Sequence, residues 1–144
     1  MRFLPDTSCL VAAVCAWHEH HAATVRELAR RERRREAMVM AAPVALEAYA
    51  VLTRLPPPYR LRPQDALAVM EGSWSGLEVV GITGPDTWQL LRALPANGIA
   101  GGRSYDAHVA ACARKGKVDM ILTWNLRDFE AVADGIDVAA PRSE

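Results

Sequence analysis

Four carboxylates stand where a carboxylate is not the obvious choice. Asp6 ends a short apolar run and opens an apolar stretch, in Asp6-Thr7-Ser8-Cys9-Leu10-Val11. Glu47 is the only charge between Met38 and Arg54. At about 100° per residue it lies roughly 60° from the centre of the Val44/Ala48/Val51/Leu55 stripe, beside the buried face, where a carboxylate needs a partner. Asp106 lies in Ser104-Tyr105-Asp106, after the turn Gly98-Ile99-Ala100-Gly101-Gly102. Asp128 follows Asn125 by three residues, after Ile121-Leu122-Thr123-Trp124. Each has an ordinary explanation as well: Asp6 and Asn125 as helix N-caps, the others as acids near helix N-termini. Ser104 is expected to cap the helix that carries Asp106 in its first turn. The glycines before it are expected to let that helix sit close to the sheet.

Taken together, the four point to metal chemistry. Carboxylates gathered at one place repel and hold their protons unless a cation neutralises them. A set of oxygen ligands without Cys or His suits a hard ion, Mg²⁺ or Mn²⁺. The matching reaction is phosphodiester hydrolysis, in which such an ion activates water and clamps the attacking and leaving oxygens.

Bringing these residues together falls to the elements around them. Apolar or β-branched runs at 2–5, 37–42, 77–83, 118–123 and 136–140 read as strands. Helical spacing or helix signals mark 8–14, 20–35, 63–74, 85–94 and 126–133. The Val44/Ala48/Val51/Leu55 and Tyr105/Val109/Cys112 patterns add two more helices. Strands alternating with helices predict an α/β domain, a three-layer α/β/α sandwich on a mostly parallel sheet of about five strands. Its extent is one domain, 1–144, with Pro56-Pro57-Pro58 ending one helix. Ligands of such sheets bind beyond the carboxyl ends of the strands. Each of the four acids follows a strand or opens the helix after one, so the fold would bring them to one edge.

Composition narrows the rest. Seventeen Lys and Arg balance seventeen Asp and Glu, which speaks against loose, charge-driven binding of nucleic acid. Setting the four acids aside as cation ligands leaves the remainder basic. The three cysteines form no Cys-x-x-Cys and read as buried reduced thiols. No apolar run approaches the roughly eighteen residues of a membrane span, and the N-terminus meets an acid too early for a signal peptide. The expectation is a cytoplasmic protein with no membrane partner.

Asp6-Thr7-Ser8, Ala42-Pro43-Val44-Ala45-Leu46-Glu47, Tyr105-Asp106-Ala107 and Leu122-Thr123-Trp124-Asn125-Leu126-Arg127-Asp128-Phe129, in this order, resemble the PIN-domain ribonucleases. The likeness spans essentially the whole chain, which looks like the single-domain VapC-type toxins of prokaryotic toxin–antitoxin pairs. It implies a metal-dependent endoribonuclease acting on structured RNA such as tRNA or rRNA, leaving 5′-phosphate and 3′-hydroxyl ends. It also implies a homodimer and a cognate antitoxin. Asp6, Glu47 and Asp106 match the three core acids and Asp128 the more variable fourth. Thr123 and Asn125 match polar positions flanking the site. Many relatives carry an acid where this chain has Asn125, which leaves open whether one or two metals bind and what Asp128 does.

Arg33 and Arg34, in a run of five arginines from 30 to 35, are candidates for RNA phosphates, with a solvated helix end as the alternative. Arg103, beside Asp106, is the better candidate. His18, His20 and His21 read as surface residues, as does His108. Trp17, Trp74, Trp88 and Trp124 read as core, although Trp124 adjoins the expected site. Two other functions compete. One is a catalytically silent PIN-like module that binds RNA or protein. The other is a small-molecule phosphohydrolase, which the absence of an Asp-x-Asp start disfavours.

Overall fold

The computed structural model describes residues 1–143. Its sheet is built on β1 (Arg2–Pro5), the central strand, flanked by β2 (Ala37–Ala41) and β4 (Met120–Leu122). β3 (Glu78–Val80) and β5 (Asp137–Ala139) form the edges, giving the order β3-β2-β1-β4-β5, with every pairing parallel. The helices are α1 (Thr7–Val14), α2 (His21–Arg33), α3 (Ala42–Arg54), α4 (Pro63–Trp74), α5 (Gly84–Ala96), α6 (Arg103–Lys115) and α7 (Leu126–Glu130).

Because successive strand residues face opposite sides, the short strands supply two cores. Phe3 is paired with Met38 and Met120, and these join Leu122 on the face covered by Leu28 of α2. Leu4, paired with Ile121, packs with Val44 and Ala48 of α3 and Val109, Ala110 and Cys112 of α6. The three-layer expectation holds. All three cysteines are buried and unpaired, and among the described residues no helix is long and apolar enough to cross a membrane.

The chain passes from β1 outward through β2 and β3 and returns to β4 on the other side of β1. Connections therefore diverge between β1 and β4, and a crevice opens beyond their carboxyl ends.

Element ends differ from expectation where local chemistry intervenes. β3 stops at Val80 rather than running to residue 83, because Thr83 caps α5 in a reciprocal capping box with Asp86. α2 stops at Arg33, and Arg35 adopts a left-handed conformation at φ 57°. Gly98 and Gly101 also have positive φ, 67° and 62°, and open space where a Cβ would stand. They are therefore turn glycines, not close-approach ones. The close approach belongs to Gly116, where a Cβ would come within 3.0 Å of Val80. α6 begins at Arg103 on Gly102, so Ser104 is not its cap, yet Asp106 remains in the first turn.

Candidate active site

Asp6 is the anchor of the crevice. It is the N-cap of α1, and its Oδ1 accepts the Cys9 N–H at 3.1 Å and the Ser8 hydroxyl at 2.6 Å. Its Oδ2 accepts the Thr123 hydroxyl at 2.6 Å, a bond from the end of β4 to the end of β1. Thr123 in turn accepts the Asn125 N–H at 2.9 Å, and Ser8 accepts the Trp124 N–H at 3.0 Å. The two strand ends are laced together around one carboxylate that is 4% exposed. The capping explanation holds, and the same geometry orients the carboxylate: the cap fixes Oδ1 and the threonine fixes Oδ2.

Asp6, Thr7, Ser8, His18, Glu47, Tyr105, Asp106 and Asn125 line a cleft of about 250 Å³, with Val44 and Phe129 beneath. Glu47 is exposed and held by the Thr7 hydroxyl at 3.0 Å, so the burial anticipated from the helical wheel does not occur. Instead α3 aims it into the cleft. Asp128 is exposed on α7, near enough to act electrostatically on Asp106. Asn125 occupies the N-cap position of α7 without a capping side-chain bond.

Among the described residues, none of the four acids has a Lys or Arg within ion-pair distance. Their ionisation reflects this. Asp106 is pushed up to about 6, first by burial and then by the charges of Asp128, Asp6 and Glu47, with Arg103 alone opposing. Asp6 is also raised: burial dominates, its three hydrogen bonds oppose it, and Glu47 adds repulsion. Burial and the neighbouring His20 lower His18, keeping it neutral at pH 7. No three of the described acids, histidines or cysteines converge closely enough to enclose an ion by themselves. The donor set nevertheless fits a hard divalent cation, which is characteristically held by one or two carboxylates with water completing its shell.

The remaining sequence candidates scatter. Arg103 is exposed at the start of α6, three residues before Asp106. Arg33 and Arg34 are exposed at the far end of α2 from the cleft. Near its start, Thr24 accepts the Trp124 indole N–H, while Arg31 reaches the sulfurs of Met1 and Met120 where the strands begin. Nor is the arginine run a solvated face throughout, because Arg31 is buried against Glu27 and Glu36.

A family model described as "PIN domain" matches residues 3–135. The chain belongs to the PIN-domain family. This PIN domain is 36% identical over 130 residues to ribonuclease VapC40 of Mycobacterium tuberculosis, covering 88% of each chain. Its fold matches the crystal structure of VapC20 of the same organism, described as a sarcin-ricin loop cleaving toxin, with a TM-score of 0.70. That match has 20% identity and covers 90% of this chain and 93% of the other. The VapBC2 complex of Rickettsia felis, bound to a promoter DNA fragment, matches with a TM-score of 0.67. There the identity is 15% and the coverage 97% and 98%.

Thr7, Ser8, His18 and Tyr105 of the PIN domain's cleft escaped the sequence reading as site residues. Thr7 and Ser8 hold Glu47 and Asp6, and their signal was present in the Asp-Thr-Ser triplet. His18, read as a surface residue, lines the cleft. It comes from the connection between α1 and α2, whose path no periodicity reveals.

Proposed function

We propose that this PIN domain is a divalent-metal-dependent endoribonuclease that acts as a toxin and is neutralised by a cognate antitoxin protein. The observation that carries the reading is Asp6: a carboxylate buried to 4% exposure, oriented by three hydrogen bonds, unpaired with any described cation and facing Glu47 and Asp106. Such a group is costly to keep ionised unless a cation joins it. Kinship with VapC40 supports the ribonuclease activity. The fold shared with the VapBC2 complex supports the antitoxin partner.

Asp6 and Asp106 would hold Mg²⁺ or Mn²⁺, with Glu47 acting directly or through water and Asp128 adding charge. When bound, the cation supplies Lewis-acid stabilisation of the phosphoryl oxygens and lowers the pKa of water. Thr123 and Ser8 fix the two oxygens of Asp6, so its geometry is set before substrate arrives. Asn125 presents a neutral polar group where a further acid would add repulsion. Arg103 is placed to meet a phosphate beside Asp106. Structured RNA such as tRNA or rRNA is the substrate class, a homodimer the working assembly and the cytoplasm its location.

In cells, expression of the wild-type chain stops growth, whereas Asp6→Asn and Asp106→Asn chains, shown by circular dichroism to be folded, do not. Full toxicity in both variants would overturn the reading.

A further inference from the structure

Beside the acids runs a continuous line of five aromatic rings. Tyr59 stacks on Trp17 at 4.2 Å between ring centroids and 25° between planes. Trp17 meets His18 at 5.8 Å, and His18 meets His20 at 5.6 Å. His20 stacks on Trp124 at 3.8 Å and 9°. The rings come from three separate connections: α1 to α2, α3 to α4, and β4 to α7. The line is tied down at one end, where the Trp124 indole donates to Thr24 at 3.0 Å and Thr24 donates to the backbone of His20 at 2.7 Å. At the other end Trp17 and Tyr59 remain 46% and 42% exposed although stacked on each other.

Two features connect this line to the cleft. His18, its middle ring, lines the cleft with Asp6, Glu47 and Asp106, and Trp124 precedes Asn125, which lines it too. The line therefore touches, at its middle ring, the cleft where a scissile phosphate would sit, and leads away from it toward Trp17 and Tyr59. The faces of indole and phenol rings are poor partners for phosphates and good ones for the flat faces of unpaired bases. The spacings within the line are too small for a base to enter between rings, so stacking falls on the outer surfaces.

We propose that this aromatic line is the substrate-binding wall of the site, on which unpaired bases flanking the scissile phosphate stack. The inference rests on the ribonuclease reading and deepens it, because it names the side chains that would hold the bases next to the cut. Trp17 and Tyr59 supply the open stacking surface. His18 joins that surface to the acids.

The test compares two ligands of equal length and charge, a short oligoadenylate and an abasic ribose-phosphate chain, by quenching of tryptophan fluorescence and by competition. Ca²⁺ is present to hold the acids without turnover. Wild-type protein binds oligoadenylate about tenfold more tightly than the abasic chain, in line with stacking of one or two bases. Trp17→Ala and Tyr59→Ala lose that preference and keep the affinity for the abasic chain, whereas Trp17→Phe retains most of it. Thermal melting of each variant confirms that it is folded. Equal preference in wild type and Trp17→Ala overturns the wall, as does a wild type that treats both ligands alike. In that case the line packs the loops or meets a protein. Cleavage of a stem-loop RNA by wild type, measured in parallel with Mn²⁺, separates this failure from failure of the ribonuclease reading itself.

Discussion

Two carboxylates of this molecule are almost equally buried and serve opposite ends of the sheet. Asp6, 4% exposed, stands at the carboxyl ends of the strands, and Glu27, 3% exposed, lies on α2 toward their starts. Glu27 is surrounded by cations. Arg30 pairs with it, Arg31 donates to it at 2.8 Å, and Arg31 also reaches Glu36 at 2.6 Å while lying over the Phe3 ring. Burial pushes Glu27 up, but its Arg30 hydrogen bond and the charges of Arg31 and Arg30 prevail and hold it below the usual range. Asp6 receives only hydroxyls and one N–H, and it stays raised. Similar exposure with opposite pKa shifts separates a carboxylate paired with arginines inside the fold from one left without a cation.

The strongest way to break this contrast is to remove each carboxylate in turn. Asp6→Asn keeps an acceptor for Cys9 and relieves the cost of a buried charge, so the melting temperature stays level or rises. Cleavage falls by about a thousandfold or more, equivalent to losing ~4 kcal/mol of metal-assisted stabilisation. Glu27→Ala does the reverse. It leaves Arg31 buried with Glu36 as its one carboxylate and Arg30 without a partner, costing about 2–3 kcal/mol, or roughly 8 °C in melting temperature. Activity per folded molecule is retained. A Glu27→Ala protein that melts like wild type would break the contrast.

A smaller effect sharpens it. With its pKa raised to about 6, Asp106 binds its proton more tightly folded than unfolded. Its contribution to stability is thus full below the unfolded pKa near 4 and is lost as pH rises through 6. On the metal-centre reading a divalent cation would take the proton's place above that range. Mn²⁺ is expected to raise the melting temperature by about 5 °C at pH 7.5 and far less at pH 5, where protons compete. Differential scanning calorimetry at the two pH values checks this. Glu27 has the opposite sign, since its lowered pKa makes its contribution fade only as pH falls below the usual glutamate range.

The smallest effect concerns the exposed arginines at the Glu27 end. Arg33→Glu with Arg34→Glu should weaken RNA binding modestly and flatten its salt dependence by one to two in log–log slope, about what the loss of two phosphate contacts gives. The cleavage rate at saturating RNA should hold. An unchanged slope would remove these residues from the interface.

Much of this was legible in the chain. The five apolar runs became the five strands. The three central strands are largely covered and so must be apolar, while the edge strands β3 and β5 keep exposed residues such as Glu78 and Asp137. Asp6 was legible because it directly follows such a run, and strand ends meet at the switch point. Thr123, the last residue of its run, was singled out only through the family resemblance. Glu47 was singled out for the wrong physical reason. Its expected burial depended on what packs beside α3, which a helical wheel does not contain, and the residue is exposed. The tryptophans misled for a related reason. Only Trp74 is core, while Trp17 and Trp88 are 46% and 62% exposed. Loop paths decide where Trp17, His18 and Tyr59 go, and loops carry no periodicity to read. The buried Arg31 was hidden inside what looked like a plain charge run, because its partners Glu27 and Glu36 are recognisable only once α2 is folded against Met1 and Met120.

The central claim is that the unpaired acids at the strand ends form a metal-dependent nuclease centre. Its most direct test is cleavage of a labelled structured RNA by wild type and Asp106→Asn, first in EDTA and then after excess Mn²⁺. Wild type should stop in EDTA and recover with Mn²⁺, leaving 5′-phosphate ends, while Asp106→Asn cleaves in neither condition. Cleavage that continues in EDTA, or an Asp106→Asn protein that recovers fully with Mn²⁺, would contradict the account. So would a wild type that binds RNA equally with and without the chelator and never cuts it.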